Sequence, residues 1–111
     1  MIDQVWPANL DDWFAAVPGS TLLLDVREPH ECQYVSVQPQ SAQLLQWPMR
    51  SIPARWQELQ RDSAIAVLCH HGGRSMQVAL FLQQCGFERV ANVAGGIDAW
   101  AQQLDPALPR Y

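Results

Sequence analysis

The sequence predicts an α/β fold built on a mainly parallel sheet, because apolar runs of strand length alternate with stretches whose apolar residues recur at helical spacing. Two polar groups support the same class. Asp25 and Cys69 each stand at the carboxyl end of a predicted strand, which is where open α/β sheets hold their ligands. The length, 111 residues at 49% hydrophobic content, suits one domain over residues 1–111 with a modest core.

The elements follow in order. Asn9 is placed to cap a helix from about Leu10 to Val17, where Leu10, Trp13, Phe14 and Val17 form one apolar stripe and Pro18-Gly19 ends it. Thr21 to Asp25 reads as a strand. Glu28 to Tyr34 reads as a short helix with Pro29 in its first turn, and Ala42 to Leu45 as a further strand. Pro53 suits the first turn of a helix reaching about Gln60. Ala64 to Leu68 is a continuous apolar run between Asp62-Ser63 and a glycine-containing loop, the pattern of a buried strand. Ser75 is the N-cap candidate for a helix from Met76 to Cys85, whose Val78, Phe81, Leu82 and Cys85 fall at i, i+3, i+4 and i+7 before Gly86. Arg89 to Val93 is a strand, and Gly95-Gly96 leads into a last helix to about Leu104.

Charge narrows the partners. The formal net charge is -4, lysine is absent, and the seven arginines are scattered, so no basic stripe exists for nucleic acid or an anionic membrane. The chain begins without a positive n-region or apolar h-region, and no apolar run approaches the ~20 residues of a membrane span; a cytoplasmic protein is expected. Cysteines at 32, 69 and 85 form no framework spacing and are expected to be reduced.

The chemistry concentrates in Cys69-His70-His71-Gly72-Gly73-Arg74-Ser75. A thiol at a strand end facing a helix N-terminus, with Arg74 nearby, sits where cysteine pKa values commonly fall from ~8.5 to roughly 3.5–7.5. Gly72 and Gly73 permit positive φ, so the backbone N–H groups of residues 70 to 75 can turn toward one anion without a metal. Neighbouring His70 and His71 side chains diverge on an extended loop, and no second ligand pair has zinc spacing, so neither metal nor cofactor is expected. The two imidazoles are expected to line the pocket mouth, where partial protonation would attract anionic donors. Arg74 either orients an oxyanion through its guanidinium fork or pairs with Asp25 or Glu31. Asp25 and Arg27, just beyond a buried strand, are supporting candidates that position loop backbone. Cys85 reads as core, Cys32 as a possible resolving thiol, and Trp13, Trp56 and Trp100 as packing.

Several blocks together resemble the rhodanese-like sulfurtransferases of the small single-domain kind: Leu22 to Glu28 with Glu31, the loop Cys69 to Ser75, Leu82 to Phe87, and Asn92 to Trp100. Residues 35 to 42 depart from the Gly-His-Ile-x-Gly-Ala-like segment common in that family. The resemblance implies a five-stranded parallel sheet flanked by helices. It also implies a Cys69 thiolate that takes the outer sulfur of thiosulfate or a similar donor, holds it as a persulfide, and gives it to a thiol or to cyanide. Arg74, His70, His71, Gly72, Gly73 and Ser75 would bind the donor. Phosphatases and arsenate reductases of related fold use C-x5-R-[ST] loops, whereas this loop is C-x4-R-S. One residue less removes up to ~3.6 Å of contour and favours a cradle around sulfur. A sulfur-carrier module that unloads only to a docked protein is the alternative from another class.

Overall fold

The computed structural model describes residues 2–111. Its five strands are β1 (Asp3–Val5), β2 (Thr21–Asp25), β3 (Gln43–Gln46), β4 (Ala64–Leu68) and β5 (Val90–Val93). They lie in the order β1-β5-β4-β2-β3, and every pairing is parallel. The helices are α1 (Leu10–Ala15), α2 (Pro29–Tyr34), α3 (Ile52–Arg55), α4 (Gly73–Gln84) and α5 (Gly96–Gln103). The predicted fold class is the observed one.

Alternation along the strands divides the core into two layers. Leu22, Leu24, Ile65 and Val67 face α4 through Val78, Ala79 and Leu82, with Ile52 and Phe87 in the same layer. Leu23, Ala66, Leu68 and Val93 face the other way, onto Phe14 of α1 and Ile97 and Trp100 of α5. β4 is buried at all five positions because it is central and covered on both faces, which is why its sequence is apolar without alternation. Truncating such a residue to alanine costs about 2–5 kcal/mol.

Several boundaries move. β1 escaped the sequence reading because an edge strand of three residues, with only Val5 buried, carries no usable period. The first helix stops at Ala15, and Asn9 makes no side-chain cap; a 3-10 turn at Pro7–Asn9 precedes the helix instead. β3 lies one residue later than expected. The helix opened by Pro53 is only α3 followed by a 3-10 turn at Trp56–Glu58. Glu28 lies outside α2 as its N-cap, and its side chain and that of Glu31 cap each other's backbone N–H groups. β5 begins at Val90, and α5 ends at Gln103. Trp47 and Trp100 are buried, Trp13 and Trp56 pack against the two layers, and Trp6 is half exposed. Cys85 is half-buried against the α4 layer.

Candidate active site

Cys69 follows the last residue of β4, at the carboxyl edge of the central strand, and is 1% exposed. The chain then turns sharply into α4. Gly72 makes that turn at φ 112°, a left-handed conformation that L side chains rarely adopt, and its N–H donates to Cys69 Sγ at 3.1 Å. Gly73 is already the first residue of the helix, so one positive-φ glycine suffices where the sequence offered two. The helix opens toward the sulfur, which places its unpaired N–H groups and positive dipole end there.

Ser75 is not the cap. Because α4 begins three residues earlier than expected, Ser75 lies in its first turn, fully buried, with Oγ 3.2 Å from Cys69 Sγ. The same hydroxyl donates to Oδ1 of Asn92. Asn92 escaped the residue-by-residue reading, although the signal was visible: it is an amide in the middle of a strand whose four positions are all buried. Its Nδ2 donates to the Gly72 carbonyl at 3.2 Å and to Gln4 Oε1 at 3.0 Å.

α5 holds the loop from the other side. Its N-terminal amides on Ile97 and Asp98 donate to the Cys69 and His70 carbonyls at 2.9 and 3.2 Å. Gly96 permits this approach, since a Cβ there would stand 2.3 Å from the His70 oxygen.

Arg74 pairs with Glu31, the second of the two carboxylates considered for it: Nη1 reaches Oε1 at 2.7 Å and Nη2 reaches Oε2 at 2.9 Å. The guanidinium holds the Glu31 carboxyl well below the usual carboxylate range, and the carboxylate raises Arg74 in return. Tyr111 joins them. Its hydroxyl donates to Glu31 Oε2 at 2.7 Å and accepts from Arg27 Nη1 at 3.2 Å, and burial pushes its phenol up to about 12.

Arg27 and Asp25 are both buried and paired, Nη2 to Oδ2 at 2.8 Å, and Arg27 also donates to the Glu31 and Val35 carbonyls. Burial alone would lower the Arg27 pKa; the bonds to Asp25 and Tyr111 outweigh it and hold the cation. The pair thus ties the end of β2 to α2. Cys32, on α2, directs its thiol at Asp25 Oδ2, 3.8 Å away. Burial and that carboxylate push the thiol up to about 11.

His70 and His71 do not diverge. Their rings stack at 3.8 Å between centroids, and Tyr111 covers the other face of His70 at the same separation, tilted by 8°. Burial, and secondarily His71, lower the His70 pKa, so His70 is neutral near pH 7 rather than part of a cationic mouth. His70, His71 and Asp98 bring one ligand atom each within 4.8 Å of one another. The two imidazole planes lie 26° apart, and Asp98 is paired with Arg110 at 2.8 Å.

The assembled site can therefore hold an anionic sulfur on Cys69 against the Gly72 N–H and a helix start, with the Ser75 hydroxyl in contact and an anchored arginine beside it. The family profile described as "Rhodanese-like domain" matches residues 8–103. A protein named "Sulfurtransferase" from Allochromatium vinosum is 41% identical over 108 residues, covering 97% of this chain and 96% of that one. "Rhodanese-like/PpiC domain-containing protein 12, chloroplastic" from Arabidopsis thaliana is 40% identical over 93 residues, which is 80% of this chain but 30% of that protein. Among solved structures, a rhodanese-related protein from Thermoplasma volcanium superposes with TM-score 0.75 at 30% identity, covering 92% of this chain and 93% of that one. With this sheet order, a cysteine at the end of the central strand and these matches, the chain belongs to the rhodanese-like sulfurtransferase family. No helix among the described residues is long and apolar enough to cross a membrane.

Proposed function

We propose that the protein, as a single rhodanese-like domain over residues 1–111 acting in the cytoplasm, moves sulfane sulfur from thiosulfate or a persulfide donor to a thiol or cyanide acceptor. The observation that carries this reading is the Gly72 N–H at 3.1 Å from a buried Cys69 Sγ, at the start of α4. In the first half-reaction the Cys69 thiolate attacks the outer sulfur of thiosulfate. A new S–S bond forms, the donor's S–S bond breaks, and sulfite leaves with that electron pair. The terminal sulfur of the Cys69 persulfide keeps one negative charge, so charge and sulfur balance. In the second half-reaction an acceptor thiolate or cyanide takes that sulfur and Cys69 thiolate returns.

Residues 70 to 75 are assigned to donor binding. Arg74 keeps its Nε–H and one outward N–H on each Nη beyond those given to Glu31, enough to orient a sulfonate. His70 and His71 line the mouth. Asp25 and Arg27 support the loop through α2. The four residues between Cys69 and Arg74 favour sulfur over the phosphoryl or arsenate chemistry of longer loops.

Mass spectrometry of the intact protein after thiosulfate treatment tests the reading. The expected result is a gain of one sulfur atom, reversed by cyanide and absent in Cys69→Ser; no gain in the absence of reductant would overturn it. A second reading, sulfur carriage to a docked protein, draws support from the Arabidopsis relative, of which this chain matches only a 30% share. Loading without turnover on cyanide or a small thiol would favour the carrier.

A further inference from the structure

We infer that Asn92 is a positioning residue for Cys69: it fixes which way the Ser75 hydroxyl points, and thereby whether that hydroxyl accepts from the sulfur or donates to it. The inference rests on the sulfur-transfer reading for its purpose, but not for its geometry.

Asn92 occupies the middle of β5, beside Gln4 of β1 and Val67 of β4, and its side chain reaches both groups that touch the sulfur. The Gly72 carbonyl can only accept, so the Asn92 atom 3.2 Å from it is Nδ2, and Oδ1 is the atom that faces Ser75. Gln4 Oε1, accepting from the same Nδ2 at 3.0 Å, agrees with that orientation. Oδ1 carries no hydrogen. The single hydrogen of Ser75 is therefore committed to Asn92, and the face of Oγ turned to Cys69, 3.2 Å away, accepts the S–H of the thiol.

Ionisation changes this arrangement. A thiolate, or a persulfide anion, has no hydrogen to give, so Ser75 must swing its own from Asn92 to sulfur. Asn92 Oδ1 is then left unpartnered at a position 4% exposed, which opposes the anion. Through Gly72 the same residue does the opposite, because its bond to the Gly72 carbonyl braces the peptide turn that keeps the Gly72 N–H on the sulfur. Asn92 thus balances a donor held permanently on sulfur against one released to it only when the sulfur is charged.

The surrounding charges are already paired. Arg74 of α4 is held by Glu31 of α2, Asp25 by Arg27 beyond β2, and Asp98 of α5 by Arg110. His70 and His71 are the titratable loop neighbours, and the β1–β5 side presents the neutral Asn92–Gln4 pair.

The test is the pH profile of Cys69 alkylation by iodoacetamide in the full chain, resolved by peptide mass spectrometry. Asn92→Asp keeps the shape but makes Oδ1 a charged and stronger acceptor for Ser75. The profile midpoint is expected to rise by about one pH unit or more, and by less than half as much when Asn92→Asp is made on Ser75→Ala. An unchanged midpoint, or the same rise in both backgrounds, overturns the inference, since a through-space charge acts without Ser75. Should Asn92→Asp fail to fold, the neutral Asn92→Thr is combined with Ser75→Ala in a double-mutant cycle. Midpoint shifts that are not additive support the coupling, and additive ones overturn it. Sulfur loading from thiosulfate is followed in parallel, so failure of the transfer reading shows in the loading and failure of the Asn92 role in the midpoint.

Discussion

Arg74 and Glu31 meet end-on as two forks, with both carboxylate oxygens engaged, so the arginine of the cysteine loop is anchored to the helix after β2. Tyr111 and the Glu28 N–H donate to the same carboxylate, which is 9% exposed. The site is thus braced by an ion pair between α2 and α4, two elements that the strands β2 and β4 deliver side by side.

Glu31→Gln is predicted to destabilise the fold at pH 7 by about 1–3 kcal/mol, as expected for a hydrogen-bonded, partly buried charge. The pH dependence follows from the sign of the shift. The folded pKa of Glu31 lies below its unfolded value, so the stabilisation is fully present above about pH 4.3 and is lost as pH falls through the folded value. Urea unfolding at pH 7 and again near pH 2.5 measures it: the gap between wild type and variant should narrow in acid. Equal stabilities at pH 7 would sink the prediction.

Gly96→Ala should displace the cysteine loop. Its φ is 62°, and the added Cβ would stand within 2.6 Å of both the Cys69 and His70 carbonyl oxygens, which are backbone atoms with little freedom to retreat. Any retreat breaks the Ile97 and Asp98 amide bonds to those carbonyls. A misplacement of 1 Å costs on the order of 100-fold in turnover, so sulfur-transfer rate should fall by about that factor. Thermal unfolding reports the accompanying loss of stability. A variant with wild-type turnover would refute the idea that α5 sets the loop position.

Much of this was legible before the structure. β4 and its cysteine could be placed because a central strand of a parallel sheet is apolar on both faces and ends abruptly in polar residues. The resemblance supplied the fifth strand in number but not in place, since three residues of an edge strand have no period to read. Ser75 was misplaced because serine before an apolar stripe is a favoured cap, and nothing local revealed that Gly72 would start this helix earlier. Partners separated far along the chain were the least readable: Glu31 was one of two options for Arg74, and Tyr111 reaches the site across 80 residues. Sequence spacing carries no information on such meetings.

Cys32 should behave unlike a resolving thiol. With its pKa pushed up to about 11 by burial and by Asp25, it is almost wholly protonated at pH 8. Iodoacetamide at pH 8 is predicted to leave Cys32 unmodified over a period in which exposed model thiols react fully, with labelling accelerating only as pH approaches 11. Oxidation of the protein under mild conditions should yield no Cys32–Cys69 disulfide in peptide maps. Rapid labelling of Cys32 at pH 8 would contradict this.

Tyr111→Ala is predicted to turn the site mouth into a pH-sensitive one. In the native arrangement the Tyr111 ring covers His70, and burial is the leading reason that the imidazole stays neutral. Removing the ring readmits water to His70, so its pKa should rise toward the ordinary value of about 6.5, an upward shift visible in an NMR titration of the ring protons. Below that pH a positive charge then stands on the cysteine loop in addition to that of Arg74. With thiosulfate as the assayed donor under the proposed function, KM should fall at pH 6 relative to pH 8 in the variant, by a few-fold and more steeply at low salt, while kcat changes little because the ring does not touch the sulfur. A His70 titration that coincides with the wild type would show that some group other than Tyr111 keeps the imidazole dry.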